Sequence, residues 1–145
     1  MVRRSPAVAL GIALACAWAH PGAARTIDFA DLRSEVGLSA PAISPDGNSI
    51  AVVTSRADFD KDLFVHQIIL IDAATGAQRA LTQGRDDVNS PTWSPSGDRL
   101  AFIAEDGTGD DAHDQLFVMS MDGGDPVAAS ASKTDVQAFV WSPDG

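Results

Sequence analysis

Ser90-Pro91-Thr92-Trp93-Ser94-Pro95-Ser96-Gly97-Asp98-Arg99-Leu100-Ala101-Phe102-Ile103 decides the fold, because the chain carries more than one version of it. Its centre matches Ser44-Pro45-Asp46-Gly47 before it and Ser142-Pro143-Asp144-Gly145 after it. Pro45, Pro95 and Pro143 stand 50 and then 48 residues apart. A fixed period of this length marks a repeat architecture. The phrase is a hairpin in physical terms. Proline presets φ for the second position of a tight turn, and aspartate or serine followed by glycine tolerates the remaining dihedrals. The flanking runs, such as Ile50-Ala51-Val52-Val53 and Leu100-Ala101-Phe102-Ile103, are β-branched or aromatic, as strands prefer.

A second match lies deeper in each copy. Gln67-Ile68-Ile69-Leu70-Ile71 corresponds to Gln115-Leu116-Phe117-Val118-Met119, Gly76 to Gly124 and Thr82 to Ser130, all at an offset of 48. The two-residue difference between offsets therefore falls in the connection between the halves, Ser55 to His66 in one copy and Glu105 to Asp114 in the other. Each unit reads as four strands. Ile68 to Ile71 is apolar at every position, which suits a strand covered on both faces. Repeated four-stranded sheets stacked face to face are propeller blades. The expected fold is all-β. Blades span about 39–86 and 87–134, and a third is begun at 135–145. A β-sandwich of eight strands needs no internal copies.

The first residues are of a different kind. Arg3 and Arg4 precede an uncharged apolar run from Ala7 to Ala19, and small residues follow up to Ala24. Residues 1–24 read as a secretory signal peptide, cleaved after Ala24 or Ala19. A lipoprotein signal on Cys16 fits less well, because leucine stands one place late. Residues 25–38 read as a lead-in segment with a short helix. Asp28 caps it, Phe29, Leu32 and Val36 follow at helical spacing, and Gly37 ends it. The resulting expectation is a periplasmic or secreted protein, with no membrane association once the signal is cleaved.

Hydrophobic content of 45% is enough for a core, and a net charge of −10 argues against a nucleic-acid partner. Cys16 is the only cysteine, so the mature chain can form neither a disulfide nor a thiolate metal site. No Gly-x-Ser-x-Gly nucleophile elbow occurs, and the serines of the Ser-Pro turns precede proline in ordinary hairpins. His20 lies in the signal, and neither His66 nor His113 has a partner at ligand spacing. Asp58, Asp60 and Asp62 alternate like a calcium loop, but Leu63 and Ile69 stand where glycine and glutamate are required. Asp106, Asp110, Asp111 and Asp114 form a second acidic connection. No catalytic residue, metal site or cofactor is expected. The acidic connections of stacked blades gather on one face, which could recognise a cationic group such as a peptide amino terminus. Trp93 and Trp141, at equivalent places before their turns, read as blade packing rather than a stacking platform.

Residues 40–47, 90–102 and Leu81-Thr82 resemble the N-terminal propeller of the prolyl oligopeptidase family, in its acylaminoacyl-peptidase and dipeptidyl-peptidase branch. Asp28-Phe29-Ala30-Asp31-Leu32 is similar to the segment leading into that propeller. The resemblance covers residues 26 to 145. It implies an exported serine peptidase that cleaves short peptides, with the propeller filtering access. A C-terminal α/β-hydrolase domain would carry the catalytic triad. None of those catalytic residues has a counterpart here. The third copy of the phrase stops inside its turn, so the sequence is expected to be part of a longer protein. The propeller of the periplasmic Tol system, a binding module, uses the same hairpins and is the alternative.

Overall fold

The structure is a computed structural model and describes residues 26, 28–83, 85 and 87–145. The expected signal peptide, with Cys16 and His20, lies outside the described residues. One short helix precedes the strands. α1 spans Phe29–Arg33, and Asp28 caps it through a reciprocal box: its carboxylate accepts from the Ala30 and Asp31 amides, while Asp31 accepts from the Asp28 amide. The helix stops at Ser34, before the position the sequence suggested. Gly37 is the first residue of a strand, not a helix stop.

Eight strands follow: β1 Gly37–Ile43, β2 Ser49–Asp58, β3 Leu63–Asp72, β4 Gln78–Ala80, β5 Asn89–Trp93, β6 Arg99–Asp106, β7 His113–Ser120 and β8 Val127–Ala128. They form two antiparallel four-stranded sheets in sequence order, β1-β2-β3-β4 and β5-β6-β7-β8. The outer strands β4 and β8 are three and two residues long. Short edges of this kind limit unwanted pairing. β2 and β3 are each two residues longer than β6 and β7, while the turn joining them is two residues shorter, and the net two extra residues account for the two offsets. Asp58 pairs with Leu63 around the turn 59–62, whereas Asp106 pairs with His113 around residues 107–112.

The sheets pack face to face. Ala51, Val53 and Ile68 of the first meet Leu100, Phe102, Ala104, Phe117 and Met119 of the second. Phe102 and Phe117 stack with centroids 5.8 Å apart. Burying a side chain such as Phe102 contributes about 1.5–3 kcal/mol. The contact is closest at β1 and β5, and β4 and β8 do not touch, so the sheets fan outward from their first strands. On the other side of the first sheet, Ile43 and Leu38 are exposed. Ile69 and Ile71, on this other face of β3, are half-buried, whereas Ile68, which pairs with Val53 and faces the second sheet, is fully buried. The uniform apolar run is therefore covered on one face only.

Each first strand carries the same kink. The register shifts between Ser39 and Ala42 in β1 and between Asn89 and Thr92 in β5. Ala40 and Ser90, each preceding a proline, adopt φ of 47° and 54°. A non-glycine residue in this region is strained, and its recurrence at one place marks a built bulge.

Candidate functional site

The Ser-Pro turns are held by hydrogen bonds among their own side chains and backbone. In the first, Ser44 donates through its hydroxyl to Asp46 at 2.6 Å and accepts from the Ser49 amide at 2.9 Å. The Asp46 carboxylate also accepts from the amide and side chain of Asn48. In the second turn serine replaces that aspartate, and Asp98 takes over, bonded to the hydroxyls of Ser94 and Ser96. These hydroxyls hold both carboxyls below the usual range: Ser44 first for Asp46, and Ser96 then Ser94 for Asp98. Ser94 is fully buried. A hydroxyl committed to a carboxylate and a backbone amide is a structural pin, not a nucleophile.

Two further hydroxyls do related work at the outer strands. Thr82 accepts from the Ile68 amide at 2.9 Å, and Ser130 accepts from the Leu116 amide at 2.9 Å. In both sheets a side chain thus supplies the acceptor that the short fourth strand lacks.

Trp93 and Trp141 fasten one unit to the one before it. Trp93 packs against the inter-sheet core, and its Nε1 donates to the Ala42 carbonyl of β1 at 3.0 Å. Trp141 Nε1 donates to the Thr92 carbonyl of β5 at 3.1 Å, the same place one repeat on. The packing role read from sequence holds for Trp93, but the bond to the preceding unit was not legible.

Antiparallel order puts the β2–β3 and β6–β7 connections at one end, together with the chain crossing from β4 to β5. The Ser-Pro turns sit at the other end, tied there by Ala73 to Asn48 and Met121 to Asp98 backbone bonds. The first end is acidic. Asp58 is turned inward on its own loop, where it accepts from the Asp60 and Lys61 amides. Asp110 and Asp111 are exposed in a 3-10 turn. Asp114 is half-buried in β7. A cleft of ≈ 340 Å³ opens here between the sheets, lined by Ser39, Ala40, His66, Asp87, Asn89 and Asp114 among others.

His66 and His113, unpaired by sequence spacing, each face a carboxylate. His66 Nδ1 lies 3.5 Å from Asp87, and His113 Nδ1 lies 3.5 Å from Asp135. Asp135 also accepts from the Asp114 amide at 3.1 Å. Asp87 and Asp135 stand 48 residues apart, and that spacing was the available signal for them. Burial first, then the charges of Asp135 and Asp87, push the Asp114 carboxyl above its ordinary value. The acidic end therefore favours cations in general. Among the described residues no group of three or more side chains is arranged to hold a metal ion, and no helix is long and apolar enough to cross a membrane.

No known family's sequence profile matches the chain. Over 115 residues, 79% of its length, the chain is 36% identical to the "Uncharacterized peptidase YuxL" of Bacillus subtilis, covering 17% of that protein. It is 27% identical over 107 residues to the Tol-Pal system protein TolB of Alkalilimnicola ehrlichii, covering 72% of this chain and 23% of that one. The chain thus spans about a fifth of these relatives. Among solved structures, the acylaminoacyl peptidase of Pyrococcus horikoshii superposes over 78% of this chain and 17% of its own, with a TM-score of 0.63 at 18% identity. The β-propeller domain of the Trilobed protease from Pyrococcus furiosus superposes over 77% of this chain and 32% of its own, with a TM-score of 0.61 at 18% identity. The two sheets are propeller blades, and over most of its length the chain resembles the propeller part of the prolyl oligopeptidase-like peptidases.

Proposed function

We propose that this chain is the N-terminal propeller portion of an exported serine peptidase acting on short peptides. In this reading the propeller limits which peptides reach a catalytic α/β-hydrolase domain lying outside residues 1–145. The observation that carries it is the 36% identity to a peptidase over 115 residues. The partners follow from the same reading: peptide substrates, and the protein's own hydrolase domain. The acidic end of the blades, with Asp110 and Asp111 exposed, is the surface on which a cationic peptide amino terminus would be met.

A second reading has a specific observation in its favour. The match to TolB supports a non-catalytic binding propeller, though at lower identity than the peptidase. The test is the intact gene product. Export, hydrolysis of short chromogenic peptides and loss of activity with a serine-directed organophosphonate are expected. A full-length product that contains only blades and hydrolyses no peptide replaces the peptidase reading with the binding one.

A further inference from the structure

Four Asp-Gly pairs occur in the chain: 46–47, 106–107, 122–123 and 144–145. In such a pair the glycine amide nitrogen can attack the aspartate Cγ. A C–N bond forms, the Cγ–OH bond breaks and one water leaves. The resulting cyclic imide takes up one water at either carbonyl, giving aspartate again or isoaspartate. Nothing is oxidised or reduced, and no co-reactant beyond water is needed.

Three of the pairs are restrained by their turns. The Gly47 amide donates to the Ser44 carbonyl at 2.9 Å, and the Gly145 amide to the Ser142 carbonyl at 3.0 Å. Their aspartates are also held, Asp46 by Ser44 and Asn48, and Asp144 by Ser142. The Gly123 amide donates to the Ser120 carbonyl at 3.3 Å. The fourth pair differs. Among the described residues neither the Gly107 amide nor the Asp106 carboxylate makes a hydrogen bond. Both residues are exposed, where β6 gives way to the loop 107–112.

We propose that Asp106-Gly107 is a site of spontaneous main-chain isomerisation, selected by the fold from four chemically identical pairs. The product routes the main chain through Cβ at Asp106. It thereby inserts one carbon at the Asp106–His113 pair that closes the β6–β7 hairpin.

The full chain, held in warm, mildly acidic buffer so that part of the carboxyl carries the proton the leaving water needs, is digested, and isoaspartate in each peptide is read with an isoaspartate-specific methyltransferase. Isoaspartate is expected to accumulate several-fold faster at 106 than at 46, 122 or 144. In strong urea the four rates should converge. Asp106→Glu should remove the signal at 106 and leave the other three unchanged. It is preferred to Gly107→Ala, whose Cβ would lie 2.7 Å from the Asp111 carbonyl oxygen. Equal or faster reaction at any of the other three pairs in the folded chain overturns the proposal. So does a rate at 106 that does not exceed theirs while the urea sample reacts at all four.

Discussion

Replacing Thr82 by valine tests the hydroxyl that completes the first blade. Valine keeps the branched shape and removes only the oxygen. Thr82 is 2% exposed and Ile68 is 0% exposed, so water cannot take the place of the 2.9 Å bond to the Ile68 amide. A buried donor stranded in this way costs about 1–3 kcal/mol, against about 0.5–1.5 kcal/mol for an ordinary bond lost at the surface. With a urea slope of about 1–3 kcal/mol per molar, the unfolding midpoint should fall by on the order of 1 M with the slope unchanged. Thr82→Ser restores the oxygen and should recover most of the loss. Amide exchange localises the effect: Ile68 should lose protection in T82V. Ser130→Ala should cost less, because Ser130 is only half-buried. If T82V and T82S shift the midpoint equally, the methyl group matters and the hydroxyl argument fails.

Two other outcomes follow from the geometry. Trp93→Phe keeps the ring in the core but leaves the Ala42 carbonyl without its donor, which should cost about 1 kcal/mol in urea unfolding. Trp141→Phe removes the equivalent but exposed bond and should cost less than half as much. Asp114→Asn should stabilise the chain at neutral pH. The native carboxyl is raised above 3.8, so its ionised form is penalised in the folded state. Stability lost as pH rises through that folded value is not lost by the amide, and the advantage should vanish in acid below 3.8. A thermal midpoint that Asp114→Asn leaves unchanged at neutral pH contradicts the assigned burial and charge repulsion.

The repeat was legible because its turns depend on residue types with narrow conformational meaning. A proline followed two places later by glycine leaves few backbone paths, so Ser44–Gly47 and Ser94–Gly97 announced both hairpins. The offset match at Gln67 and Gln115 then located the inner strands. The pairing of Thr82 with Ser130 was visible as letters, although its reason, an acceptor for a buried amide, was not. The tryptophan bonds were hidden because their acceptors are backbone carbonyls, which leave no mark in sequence. His66 with Asp87 and His113 with Asp135 were hidden because about twenty residues separate the partners. The early end of α1 came from Ser34, whose hydroxyl bonds the Asp31 carbonyl and competes with a further turn. The bulges at Ala40 and Ser90 could not be read, since neither residue favours positive φ.

The backbone acceptors at Ala42 and Thr92 also bear on how such a chain can lengthen. The joint between units asks for an indole on the arriving side and accepts alanine or threonine on the other. A duplicate of the second unit brings its own donor and finds an acceptor already in place, whereas the first unit has Ile43 where the indole would stand. Because the acceptor is a backbone carbonyl, the joint asks for no matching side chain upstream.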